Sequence, residues 1–547
     1  MLTPPQYIEA VSRLSMGGES MSIHSGTNYQ NLAQYLKSAQ GNSSQVNLWA
    51  PACASPEDNV HATLYEFAGG QRSFVSSFRD PAGFNWVKQT QRHISSGSLV
   101  FLRGFSTPNW LAAVGAECCV DPEFFNAHLD FLSYSDTYSI PTIPSSAKVF
   151  KLRLTSLGVL TSSEDLQKSR RWKSESMASY YRERTKGIGL PIGDSIVRKF
   201  SIFGKGSFAI EQDISICLAR TGDDKWTVVV WMDPGTSLVT TPLEFLRDKG
   251  YLLPHVHRRR ENIMSDMFSI ATESDAPVAA HNETWGQSSR ILPFQYSKPI
   301  PSEMEVEPDP FFSVLDLFEF SANSERQFLN MISSQINDQM EGPDVPLKTT
   351  VELLQSMAVS LQEHIQRLKQ NIVVIKDRGG PTWPRTADKN NSVLDVAINT
   401  TLKDFESLLD DAISLSRLCM DVTTILTNSA IAEQSKELAQ QTLHDSQNIM
   451  IITVLTTILL PFALMASVFS MNVEQFGVGT VHLRLWFISA FSLLVLVLST
   501  VLLLSPQTLT RFMPAYPGLF LRGLFLQTRV RPRVRLTSIE LVPEIRY

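Results

Sequence analysis

Apolar residues fall into three regimes along this chain. Between residues 46 and 275 they come as short runs and alternations. Ile214, Ile216 and Leu218 alternate with polar partners, the period of a half-buried strand. Strands are predicted over Leu99–Arg103, Val149–Leu154, Ile214–Ala219 and Trp226–Met232, with Thr221-Gly222-Asp223-Asp224 as a hairpin turn between the last two. Trp110–Val114 and Pro122–Leu132 read as short helices, the second with Asp121 as N-cap and Pro122 at its first position. This part is expected to be an α/β or α+β domain. The preceding 1–45 segment is polar and mixed, with a weak helix at Tyr29–Ala39.

The second regime is helical. Val314, Leu317, Phe318, Phe328, Met331 and Ile332 mark Phe311–Met340, and Leu353, Leu354, Met357, Leu361, Ile365, Leu368, Ile372 and Ile375 mark Leu347–Lys376. Gly379-Gly380-Pro381-Thr382-Trp383-Pro384 ends the pair. From Ser392 to Asn472 there is then one proline, Pro461, and no glycine. Leu394, Ile398, Leu402, Phe405, Leu409, Ala412, Leu415, Cys419, Val422 and Leu426 form a bundle-type stripe at spacings of three and four. One unbroken helix of roughly 120 Å is predicted, a stalk rather than a globular-core element.

The third regime is lipid-like. Ser446 to Val473 carries no charge and holds the apolar run Ile449–Met471; Leu485–Leu504 is a second uncharged run. A bilayer core of ~30 Å takes roughly 20 helical residues, so a membrane hairpin is expected. Two spans are too few to enclose an aqueous path, and conduction would require an oligomer. Between Glu433 and Asn448 the apolar stripe thins to Ala432, Ala439 and Leu443 among glutamines and serines. That segment admits two readings, the lining of a hydrated funnel or a lone helix exposed to the cytoplasm.

Composition changes this picture little. The 547 residues are 43% hydrophobic and 19% charged, with a formal net charge of −6, which suits a globular protein with a small membrane part. No basic stripe argues for nucleic acid. The five cysteines, Cys53, Cys118, Cys119, Cys217 and Cys419, include no C-x-x-C spacing and read as reduced thiols. The N-terminus has no apolar h-region and is not Arg-rich, so no leader is expected. Arg511, Arg522, Arg529, Arg531, Arg533 and Arg535 follow the second span, which predicts a cytoplasmic tail and, with two spans, a cytoplasmic N-terminal part. Pro514, Pro517 and the tail arginines suggest an interfacial segment that binds anionic lipid.

Thr457-Ile458-Leu459-Leu460-Pro461-Phe462, then Phe469-Ser470-Met471-Asn472, then Glu474, resemble the CorA family of divalent-cation channels, the two-span Gly-Met-Asn type. The family carries a proline eleven residues ahead of the motif Asn, the spacing of Pro461 and Asn472. Phe101–Phe105, Val120–Phe125 and His128–Phe131 are similar to the fungal CorA-like branch. Ser470 stands where the family has Gly, giving Ser-Met-Asn.

The resemblance implies a homo-oligomer, a pentamer, in a lipid bilayer, with the first span lining a central pore and the cytoplasmic domain gating it. Mg²⁺ is the implied cargo. It sheds water reluctantly and prefers octahedral oxygen, so Ser470, Met471, Asn472 and Glu474 would meet the hydrated ion at the outer mouth. Ile449, Ile452, Thr456, Leu460, Ala463 and Ser467 would line the pore, with Ile449 and Ile452 as a dewetting gate. Pro461 deletes one backbone hydrogen bond and marks a kink. The family's acidic regulatory position falls on Ser435, and Glu433 and Glu437 flank it as candidates for cytoplasmic metal sensing.

The expected organisation is a polar segment at 1–45, an α/β cytoplasmic domain at 46–275 and a Pro/acidic linker at 276–310. Two antiparallel helices follow at 311–391, the stalk at 392–448 and the first span at 449–472. An outer loop at 473–484, the second span at 485–504 and a basic tail at 505–547 complete it. The alternative reading is a non-conducting CorA-like membrane scaffold. An enzyme is not expected, because no Gly-rich phosphate loop, nucleophile elbow or His-Glu-x-x-His occurs. His255-Val256-His257, beside Arg258-Arg259-Arg260, reads as a solvated turn.

Overall fold

The computed structural model describes residues 2–16, 29–38, 60–68, 71–84, 97–129, 148–160, 192–204, 206–222, 225–235, 250–255, 309–341, 347–380, 382–385, 392–470 and 483–504, with a few positions between them. Its helices of seven residues or more are α1 (Pro4–Met16), α2 (Gln30–Ser38), α3 (Pro108–Cys118), α4 (Pro122–His128), α5 (Leu315–Glu341), α6 (Leu347–Lys376), α7 (Ser392–Ser470) and α8 (Leu483–Leu504). Its strands are β1 (Ala62–Ala68), β2 (Gln71–Phe78), β3 (Gly97–Arg103), β4 (Val149–Leu160), β5 (Lys199–Phe203), β6 (Ser207–Gly222), β7 (Lys225–Met232) and β8 (Gly250–Leu252). Two compact units divide them, Met1–Ala430 and Ile431–Tyr547.

All eight strands form one mixed sheet in the order β2-β1-β3-β7-β6-β4-β8, with β5 beside β6. β3 and β7 are parallel, with Gly97 opposite Trp226; the other pairs are antiparallel. The central strands alternate between two cores. Leu99, Phe101, Val228, Val230 and Met232 enter one; Val100, Leu102, Val229 and Trp231 enter the other. A strand buried on both faces reads as a continuous apolar run, which is how β3 and β7 look in sequence. The predicted hairpin appears as the β6–β7 pairing up to Gly222 and Lys225, its tip lying outside the described residues.

One face of the sheet carries α1 to α4. Asp121 caps α4, accepting from the Glu123 amide at 3.0 Å with Pro122 at the first position. The helix ends at His128, short of the predicted Leu132; residues 130–132 lie outside the described set. α1 was not expected from the polar composition of 1–45. Its Tyr7, Ile8 and Val11 are buried in this core, and the Tyr7 hydroxyl donates to Val120 O at 3.0 Å.

The opposite face carries α5, α6 and the first part of α7. Phe318, Phe328, Leu354, Leu361 and Ile365 share a core with Leu394, Ile398, Phe405, Ala412, Cys419 and Val422. The expectation that this long helix is wholly a stalk is therefore corrected: its first eight turns are a core element. Beyond Leu426, the last residue packed against that core, most of its large apolar side chains are exposed. Part of the 276–310 stretch also packs inward. Leu292 is buried in that core, Tyr65 Oη donates to Pro293 O, and Gln287 Nε2 donates to Gln212 Oε1 at 2.6 Å.

α6 ends where predicted. Gly379 has φ +88°, its amide donates to Val374 O at 2.9 Å, and a Cβ there would meet the Trp383 ring at 2.5 Å. α7 is a single 79-residue helix that continues through Pro461.

Candidate ion path

Within the second unit, the end of α7 is apolar and open. It is the one helix among the described residues that is long and apolar enough to cross a membrane. α8 spans 22 residues, about 33 Å at the α-helical rise, of which the described apolar part is Phe487–Val497.

The six predicted pore-lining positions lie together. At 3.6 residues per turn, Ile449, Ile452, Thr456, Leu460, Ala463 and Ser467 occupy about 80° of arc, and every one is exposed. Met450, Thr457, Pro461 and Met465 fall within a second arc of about 80° on the other side, and these are half-buried or, for Pro461, buried. Phe462, also half-buried, lies further round. α8 has a comparable sheltered stripe, with Ala490 buried and Ser489, Leu493, Leu494 and Val497 half-buried. Each helix thus has a sheltered stripe, broken on α7 by the exposed Val454, and the six positions of α7 lie on its exposed side.

Hydroxyls in this span turn inward. Thr453 Oγ1 donates to Ile449 O at 2.7 Å, Thr456 Oγ1 to Ile452 O at 2.9 Å, and Thr457 Oγ1 to Thr453 O at 2.7 Å. Such bonds to the preceding turn spare the hydroxyl proton an unpaired place in lipid. The sequence pattern carried no sign of them beyond the presence of three threonines.

Of the outer-mouth set, Ser470 closes α7, while Met471, Asn472 and Glu474 lie outside the described residues. Glu433 and Glu437 sit one turn apart on α7, both exposed, and Ser435 Oγ donates to Ile431 O at 2.7 Å. Among the described residues no group of three or more His, Cys, Asp or Glu is placed to hold a metal.

The first unit holds a buried charge network that sequence reasoning missed. Arg153 Nη1 donates to Glu211 Oε2 at 2.6 Å, and its Nε lies 2.7 Å from Asp213 Oδ1. Arg198 donates to both oxygens of Asp233 at 2.6 and 2.8 Å. His128 stacks on Trp231 at 3.9 Å, with Nδ1 2.8 Å from Ser215 Oγ and Nε2 3.1 Å from Asp233 Oδ1. Serine, histidine and aspartate here have the connectivity of a hydrolytic triad. All three are sealed from solvent, and Asp233 is tied to Arg198, so no substrate reaches the hydroxyl. Burial taken alone raises the pKa of Asp233; Arg198 and His128 reverse that and hold it well below the carboxylate range. The one available signal was Glu211-Gln212-Asp213, three polar residues inside a strand otherwise rich in isoleucine. His255, predicted in a solvated turn, has Nε2 3.1 Å from Ser156 Oγ and its ring beside Phe320.

No family model matches the chain, and no curated protein matches it. Among solved structures it is similar to the CorA magnesium transporter from Methanocaldococcus jannaschii, at 10% identity over 82% of this chain and 98% of that one, with a TM-score of 0.32.

Proposed function

We propose that this protein is an oligomeric channel for divalent cations, with hydrated Mg²⁺ as its cargo, and that it crosses the bilayer twice. The observation that carries this reading is the free arc of α7. Six positions picked out as pore-lining share one exposed face, and the sheltered stripe lies on the other side. The rest of the span outside that stripe, Ile451, Leu455 and Leu459 among it, is exposed as well, as a span that meets both lipid and a pore requires. Copies arranged around an axis, five in the reading offered here, would bring Ile449 and Ile452 into apolar rings that close by dewetting. Asn472 would form the outer ring, whose amide oxygens accept hydrogen bonds from the ion's water shell and release it again. Glu474 would concentrate cations there, and Glu433 and Glu437 would respond to Mg²⁺ on the cytoplasmic side.

The test is Mg²⁺ flux into proteoliposomes. The parent should conduct, and Asn472→Ala should lose about tenfold or more, as expected when a polar ring that holds the hydrated ion is removed. Equal flux in the two would sink the assignment of Asn472. A second reading, a membrane scaffold that no longer conducts, is favoured by Ser470, whose side chain restricts the close backbone approach that Gly allows. Absence of divalent flux in the correctly assembled parent would decide for the scaffold.

A further inference from the structure

Thr456 differs from the rest of the free arc. It is the hydroxyl-bearing residue among the arc positions from Ile449 to Ala463, with Ile452 and Leu460 one turn to either side. Its Oγ1 donates to Ile452 O at 2.9 Å and lies 2.9 Å from Thr453 O. A threonine hydroxyl has one proton and two acceptor sites. With the proton committed to the preceding turn, what the oxygen offers outward is acceptor capacity. Thr453 and Thr457 bind their protons in the same way. They stand about 60° and 100° round the helix from Thr456, and Thr457 is on the sheltered stripe.

We propose that Thr456 supplies a ring of hydroxyl acceptors partway along the span, which takes hydrogen bonds from the water shell of a hydrated cation. The proposal rests on the channel reading above. Waters bound to a cation point their hydrogens outward, so a station for the hydrated ion must accept rather than donate. Ser470, where α7 closes, is 14 residues from Thr456, roughly 21 Å along the helix. Between Thr456 and Ser467, the next hydroxyl of the arc, and again below Thr456, the arc presents Ala463, Leu460, Ile452 and Ile449, whose side chains form no hydrogen bonds. Without an acceptor at 456 the ion's shell would cross this stretch against hydrocarbon alone. A back-bonded threonine gives the shell a partner and, having no outward proton, favours cations over anions.

Three variants and one labelling measurement test this. Thr456→Val keeps the shape and the β-branch and removes the oxygen; Mg²⁺ flux in proteoliposomes should fall about tenfold, the worth of one net hydrogen bond. Thr456→Ser should conduct close to the parent, and Thr457→Val should match it. In protein stripped of its native cysteines, Thr456→Cys should react with a charged, membrane-impermeant thiol reagent, and Thr457→Cys should not. A parent that conducts beside a Thr456→Val variant that conducts equally overturns this proposal and leaves the channel reading standing. A thiol at 456 that stays unlabelled while the parent conducts overturns it as well. A parent that carries no divalent cation overturns the channel reading, and this proposal with it.

Discussion

His364 is a buried cation held between layers. Its ring stacks on Phe328 of α5 at 4.2 Å, its Nδ1 lies 2.8 Å from Glu325 Oε1, and its Nε2 is 3.8 Å from Glu211 Oε1 on β6. The last distance is an ion-pair contact and too long for a hydrogen bond. Burial taken alone lowers the imidazole pKa; Glu325 and Glu211 outweigh it and lift it to about 9. Glu211 shows the reciprocal effect, since burial would raise it while His364, Arg153 and Lys199 hold it well below the carboxylate range. A group whose pKa rises on folding stabilises fully below its unfolded value, ~6.5, and loses that contribution as pH climbs through the folded value. Heating the detergent-solubilised protein should therefore show a midpoint that declines between pH 6.5 and 9.5. His364→Gln should lower the midpoint at pH 6 by the equivalent of roughly 3 kcal/mol and flatten the decline. An unchanged slope in the variant would move the origin of the alkaline loss elsewhere.

At the scale of elements, α1 shows how close packing fixes a segment that composition left out. Tyr7 lies over Gly115 of α3 so closely that a Cβ there would stand 2.4 Å from its ring. Gly115→Val should displace the ring, cost about 1–3 kcal/mol and make the bond after Arg13 sensitive to trypsin in the folded protein. Continued protection would mean that α1 is held by Ile8 and Val11 without Tyr7. The pattern that predicts α1 is present, with Tyr7, Ile8, Val11 and Leu14 at helical spacing behind Pro4-Pro5. It was obscured because Gln6, Glu9, Ser12 and Arg13 give the segment a polar average. β1 was illegible for a different reason. Thr63 and Glu66 are buried beside Leu64, Tyr65 and Phe67, so neither alternation nor a pure apolar run appears. β6 and β7 were legible because alternation in one and a continuous run in the other match their burial. Counting gives the six arc positions of α7 their common helical phase, while the choice of that phase as pore-lining is what the CorA resemblance implies. The back-bonds of its threonines depend on rotamers, which counting does not give.

At the scale of the whole molecule, α7 takes part in both compact units and changes character along its length. Its first part is fastened to α5 and α6 by core packing, by the Arg326–Asp411, Lys376–Glu406 and Arg378–Asp395 pairs, and by Gln362 Nε2 donating to Ser416 Oγ at 2.9 Å. Those pairs are on the surface and each is worth little; the shared core does most of the fastening. In the second unit Ile431, Leu438 and Leu443 are exposed although each is large and apolar. By helical phase Ile431 and Leu438 continue the free arc of Ile449 and Ile452, while Leu443 falls on the side of the sheltered stripe. If copies surround an axis with this arc innermost, equivalent residues of different copies approach one another at 431 and 438 and are kept apart at 443. In protein stripped of its native cysteines, Ile431→Cys and Leu438→Cys should then form copy-to-copy disulfides under mild oxidation, and Leu443→Cys should not. A disulfide joins only two copies, so a bifunctional thiol reagent is needed to count them, and its ladder should end at five subunits. A ladder ending at another number would refute the pentamer while leaving the arc assignment intact. Cross-linking at 443 instead of 431 and 438 would rotate the helix by about a third of a turn. That rotation would point Thr457, not Thr456, toward the axis, and would exchange the expected outcomes of the two valine variants.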